Sequence, residues 1–216
     1  MSKTPPPVFP SLRLRRAAPD ATALVGAYGG HPRGIRSHQW PRCAVCGSAM
    51  CHMAQIDAGP WLDLGKFARM SVFICHATGG RCEDWDPWKG ANRVLLHATK
   101  DDALYDGPPV VRVYRRVRLV ADPPIDDRAV LAAAKQAGTL DAAKAELKHD
   151  KLNGVPVWLT GDDTPRSPSG KDRMRLLLQM TTGVVAFDIT RGGMAWVFLD
   201  PHDPSETAAK LMWQGG

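Results

Sequence analysis

Residues 28–56 read YGGHPRGIRSHQWPRCAVCGSAMCHMAQI, and residues 152–180 read LNGVPVWLTGDDTPRSPSGKDRMRLLLQM; a constant shift of 124 positions lays one on the other without a gap. Gly30 and Pro32 then fall on Gly154 and Pro156, Pro41 and Arg42 on Pro165 and Arg166, Met50 on Met174, and Gln55 on Gln179. Half of these pairs are Gly or Pro, which free or restrict the backbone and so report shape more than chemistry. Further on, the apolar run Val72 to Ile74 falls on Trp196 to Phe198. A fixed offset of this kind predicts an internally duplicated chain. The expected repeats cover about 28–120 and 152–214, separated by a connector over 121–151.

Within and around these stretches the texture is mostly strand and turn. Met50 to Ile56, Met70 to Cys75, Arg175 to Met180, Val184 to Ile189 and Met194 to Leu199 are short apolar runs flanked by Gly, Asp or Pro, as strands require. Val110 to Val120 (VVRVYRRVRLV) alternates apolar and basic residues and predicts one long strand whose outer face carries Arg112, Tyr114, Arg116 and Arg118. The connector reads as two short helices: Arg128 to Ala137, stopped by Gly138, then Leu140 to Lys148, opened by Thr139 as an N-cap. A third short helix is expected over Ser205 to Trp213. The first 22 residues are Pro-rich and basic; they predict a flexible arm holding at most a short strand near Phe9 to Leu14, ahead of a single domain over 23–216. The expected fold class is therefore α+β and β-rich: two duplicated sheet units in a pseudo-two-fold relation, with short helices between them and at the C-terminus.

The chain has 216 residues, 44% of them apolar and 23% charged, which is ordinary globular composition and excludes disorder throughout. No stretch reaches the roughly 20 apolar residues of a membrane helix, and the basic N-terminus lacks the apolar segment of a secretory signal, so a cytoplasmic location without membrane contact is expected. All five cysteines lie between Cys43 and Cys82. In a reducing compartment, clustered thiols suggest a metal before they suggest disulfides. Cys43-Ala-Val-Cys46-Gly47 has the spacing of a zinc knuckle, two thiolates around a tight turn that Gly47 permits. Cys75 and Cys82 supply a second pair across a loop containing Gly79 and Gly80. Four thiolates make a closed tetrahedral Zn(II) site of structural type, because a catalytic zinc keeps a position for water. His76 or Cys51 could replace one of the second pair; otherwise Cys51 reads as a small buried hydrophobe. The second repeat has no cysteine, so any equivalent turn there (RSPSGK, residues 166–171) must close without metal.

The run GGHP, then WPRCAVCGSAM, a strand ending in AQI, VFIC with a downstream Cys, and a Trp-Asp-Pro segment resembles the first half of the YwqG-like family of bacterial domains of unknown function. It is also similar to the N-terminal part of eukaryotic programmed cell death protein 2. GVPVW, GDDTP, MRLLLQM and KLMWQ look like the matching second half. The resemblance implies an internally duplicated β-rich fold and a role in protein association, since the eukaryotic relatives are chaperones of a ribosomal protein. It further implies toxin-immunity settings for some bacterial members and a proposed RNA-processing role for the wider group.

His38, His52, His76 and His97, with Asp57, Asp84 and Asp86, form no known catalytic spacing, so a non-enzymatic protein is expected. Trp61, Trp85 and Trp88 lie in Pro/Gly/Asp-rich loops and are candidates for contact with a protein client. The first expectation is a zinc-stabilised protein-binding module of chaperone, adaptor or immunity type. The alternative is an RNA-binding or RNA-processing factor in which Arg112, Arg116 and Arg118 track phosphates and Tyr114 stacks a base. A net charge of +6 permits an acidic partner without choosing between them.

Overall fold

Side chains of opposite parity in the strands starting at Cys51 and Arg69 face two different apolar layers, and this decides how the sheet closes. The structure is a computed structural model that describes residues 9–103, 107–170, 172–182, 189 and 192–215. In chain order it forms β1 (Leu12–Arg16), β2 (Gly26–Tyr28), β3 (Cys51–Asp57), β4 (Arg69–Ile74), β5 (Asn92–His97) and β6 (Val117–Ala121). Helices α1 (Asp127–Gln136) and α2 (Leu140–Glu146) follow, then β7 (Lys151–Leu152), β8 (Arg175–Met180), β9 (Met194–Leu199) and β10 (Ala209–Gln214). One antiparallel ten-stranded sheet runs in the order β10-β9-β8-β7-β1-β6-β2-β3-β4-β5. About the central β1/β6 pair, β2 to β5 and β7 to β10 are arranged in mirrored order, which is the expected pseudo-two-fold relation.

The two ends of the sheet curl toward each other. Leu96 N–H on β5 donates to the Glu206 carbonyl just before β10 (2.9 Å), and Val94, Leu96, Ala209 and Leu211 share one core. That core also takes Leu14, Ile56, Met70, Leu119, Leu178 and Val197, so the interior of a nearly closed barrel is filled from both repeats. Each such side chain contributes roughly 1.5–3 kcal/mol of burial. A separate apolar layer covers the outer face of each half: Trp40, Met50, Phe73 and Ala91 on the first, and Met174, Met194, Trp196 and Phe198 on the second. With both faces covered, β4 and β9 are buried along their whole length, which explains the uninterrupted apolar sequence of β9; in β4 the buried Arg69 and Ser71 are hydrogen-bonded to Asp57 and Gln55.

The duplication extends to detail. The β3/β4 ladder shifts register between His52 and Ala54, and the β8/β9 ladder between Leu176 and Leu178, 124 residues on. Each irregularity turns two successive residues inward, Met53 with Ala54 and Leu177 with Leu178. Gln55 holds both the N–H and the carbonyl of Arg33 (3.1 and 2.9 Å), and its counterpart Gln179 accepts the Val157 N–H (2.8 Å). The repeated glutamine thus pins the chain just after each Gly-x-Pro turn.

Four sequence expectations are corrected. Residues 12–16 are not part of a flexible arm: β1 is a central strand, paired with β6 and β7, because Leu14 points into the core while Arg13, Arg15 and Arg16 flank it. Val110 to Val120 is not one strand; only Val117–Ala121 is, and Tyr114 is buried. The C-terminal helix is strand β10, since its apolar residues serve two buried faces. Both connector helices are present, but Thr139 makes no side-chain cap bond, whereas Asp126 caps α1 by accepting from the N–H groups of Arg128 and Ala129. The strand expected over Val184 to Ile189 falls almost wholly outside the described residues.

Candidate metal centre

Two turns and one strand end bring four cysteines together. In the knuckle, Cys43 N–H donates to Ser48 O and Gly47 N–H to Cys43 O (both 2.9 Å), folding the chain back so that Arg42 bridges Ala49. Gly47 sits at φ 73°, in the left-handed region where a side chain would be strained. Cys75 follows directly on β4, and its N–H donates to Ala91 O (2.8 Å). Ala44 N–H donates to Gly90 O (2.9 Å), which sets the knuckle beside the loop that carries Cys82.

The ligating atoms of Cys43, Cys46, Cys75 and Cys82 all lie within 4.8 Å of one another, with the Cys46 and Cys75 sulfurs 3.6 Å apart. Tetrahedral zinc with Zn–S bonds near 2.3 Å requires sulfurs about 3.8 Å apart, so the four thiols could hold a metal ion such as zinc. Cys43, Cys75 and Cys82 are buried against Ile35, Trp40, Met50 and Phe73, while Cys46 lies at the surface. Ser48 hydrogen bonds pull the Cys46 thiol down to about 6, and burial pushes Cys75 up. Thr78 Oγ1 lies 3.0 Å from the Cys82 sulfur. Sequence reasoning missed Ser48 and Thr78; a hydroxyl residue two or four positions from each cysteine was the signal.

The alternative ligands are committed elsewhere. Cys51 is in the barrel core, and His76 Nε2 is hydrogen-bonded to the Tyr114 hydroxyl (2.9 Å). Of the three loop tryptophans, Trp85 and Trp88 are 45% and 52% exposed, but Trp61 packs on the core and donates its indole N–H to Asp57 O (3.0 Å). Trp61 is therefore only partly exposed. The basic array is also rearranged. Arg112 lies over the Tyr114 ring, Arg116 donates to His31 O, and Arg118 donates to the carbonyls of Ala18 and Pro19. They do not line one strand face, and Tyr114, 6% exposed, is not open to a base.

The second repeat has solved the same turn without thiols. Structural pairing shifts β9 by one residue relative to the sequence offset: Ile74 is the partner of Cys51, and Leu199 the partner of Arg175. The counterpart of Cys75 is therefore Asp200, not Leu199. Ser167, counterpart of Cys43, donates its Oγ to Asp200 Oδ2 at 2.7 Å, both groups buried. The turn is retained, with Ser167 N–H on Asp172 O (2.9 Å) and Arg166 bridging Arg173. No family model matches the chain, and no curated protein does.

Proposed function

We propose that the chain is a non-enzymatic protein-binding module whose docking loop is fixed by a structural Zn(II). The observation that carries this reading is the position of Trp85 and Trp88: three and six residues beyond Cys82, largely exposed, and next to the knuckle, whose Val45 is 57% exposed. Exposed tryptophans on an anchored loop supply contact area at little ordering cost. Four protein thiolates fill a tetrahedral zinc, which makes the ion a structural part, and such a thiol cluster suits the reducing cytoplasm. The resemblance to YwqG-like domains is consistent with a chaperone, adaptor or immunity role. RNA binding is a second reading, for which the supporting observation is that Arg33, Arg69 and Arg118 lie within electrostatic reach of Arg116.

Capture from the native host separates the two readings. Wild-type protein should retain one protein in stoichiometric amount, and Trp85→Ala with Trp88→Ala should lose it. Retention of RNA instead, lost in Arg116→Glu with Arg118→Glu, would replace this reading by the second.

A further inference from the structure

The sheet is hydrogen-bonded everywhere except between its two end strands, and a cavity of about 180 Å³ lies at that seam. Its walls are Arg93 and Asn92 of β5, Lys210 and Ala209 of β10, and Trp88 with Pro87 from the metal-anchored loop. Asn92 holds that loop down by donating to the carbonyls of Asp84 and Asp86 (2.9 and 3.0 Å). Trp213 N–H of β10 donates to Trp85 O (3.4 Å).

Two cations meet here without a carboxylate partner. The Arg93 guanidinium makes no hydrogen bond or ion pair among the described residues. Among the described residues Lys210 Nζ donates only to the Thr207 carbonyl (3.0 Å), and it lies over the Trp88 ring, 5.4 Å from its centre. Asp200 and Asp203 are within electrostatic reach of Lys210, but Asp200 accepts from Ser167 and His202 N–H, and Asp203 from Ser205 N–H. Half-buried like charges across an open seam destabilise the fold unless an anion comes between them.

We infer that the seam is a carboxylate-binding pocket that takes an Asp or Glu side chain of an acidic client segment, with Arg93 and Lys210 as its ion partners and Trp88 as its apolar wall. The inference rests on the protein-binding reading and names the chemistry of the client. A nucleobase fits the site less well, because Lys210 already covers one face of Trp88.

The test uses the full chain with metal bound and fluorescein-labelled peptides of alternating Glu and Leu, with Gln/Leu and Lys/Leu peptides and an oligo(U) as comparison probes. The Glu/Leu peptide should bind, weaken as salt rises, and lose about tenfold or more in affinity in both Arg93→Gln and Lys210→Gln. Unchanged metal content in the variants shows that they remain folded. Equal binding of the Gln/Leu peptide, displacement by oligo(U), or unchanged affinity in both variants would overturn the inference. A client still captured through Trp85 and Trp88 by the Arg93→Gln protein would sink this pocket alone and leave the protein-binding reading standing.

Discussion

Ser167 Oγ donates to Asp200 Oδ2 at 2.7 Å in the place where, in the other repeat, the sulfurs of Cys43 and Cys75 approach as two of four candidate metal ligands. Asp200 also accepts the His202 N–H, and Ser167 Oγ is hydrogen-bonded to the Ser169 hydroxyl, so the substitute is a buried pair with exposed neighbours on either side. Asp200→Ala leaves buried donors unsatisfied and should cost about 1–3 kcal/mol in urea unfolding. Metal content should not change, because this turn needs none.

Removing the metal should act beyond the first repeat. Cys82 opens the segment that carries Trp85, and Trp85 O accepts from Trp213 on β10. A strong chelator, or Cys43→Ser, should lower the thermal midpoint by about 10 °C or more. Amide exchange should accelerate at Ala44, Met50, Cys75 and also at Trp213, while β7 and β8 stay protected. Loss of protection confined to the knuckle would show that the loop does not hold the seam.

Buried charge should matter more than exposed charge. Lys151 and Asp127 are fully buried and pair at 2.7 Å, with the Ser11 hydroxyl and the Val155 N–H completing the carboxylate's bonds. Lys151→Met strands Asp127 and should cost about 3–5 kcal/mol. Arg173 and Asp162 also pair, but both side chains are nearly half-exposed, and Arg173→Gln should cost about 1 kcal/mol at most. Denaturant titrations of the two variants make the comparison.

Acid stability should contain two opposed contributions. Burial raises Asp150 to about 6, although its Oδ1 accepts the Thr181 N–H and hydroxyl. A carboxyl raised in the folded state contributes stability that is complete below about 4 and lost as pH rises through 6. Burial lowers His52 and His97 to about 4, so they contribute stability present above the free imidazole value of about 6.5 and lost as pH falls toward 4. The difference between wild type and Asp150→Asn isolates the first: relative to the variant, wild type should lose on the order of 2–3 kcal/mol between pH 4 and pH 7. A difference independent of pH would contradict the assignment.

The duplication and the four-cysteine cluster were legible in sequence because both are local patterns. Gly30, Pro32 and Gln55 with their counterparts set turns and their anchors, and a CxxC followed by Gly describes its own geometry. What was not legible depends on distant partners. Leu12 and Leu14 are too short an alternation to reveal a strand that draws its partners from β6 and β7. Ala-Ala-Lys-Leu-Met-Trp has helical residue types, yet pairing with β9 and apolar layers on both faces make it β10. The one-residue difference that puts Asp200, not Leu199, opposite Cys75 arises in the strand pairing and has no sequence signal.

Metal analysis of the purified, reduced full chain, read across single Cys→Ser variants, decides whether Cys43, Cys46, Cys75 and Cys82 hold a zinc ion together. One zinc per chain is expected in wild type and in Cys51→Ser, and loss of zinc in each of Cys43→Ser, Cys46→Ser, Cys75→Ser and Cys82→Ser. Full zinc content in any of those four variants, or a folded wild type that binds no zinc with its thiols reduced, would contradict this expectation.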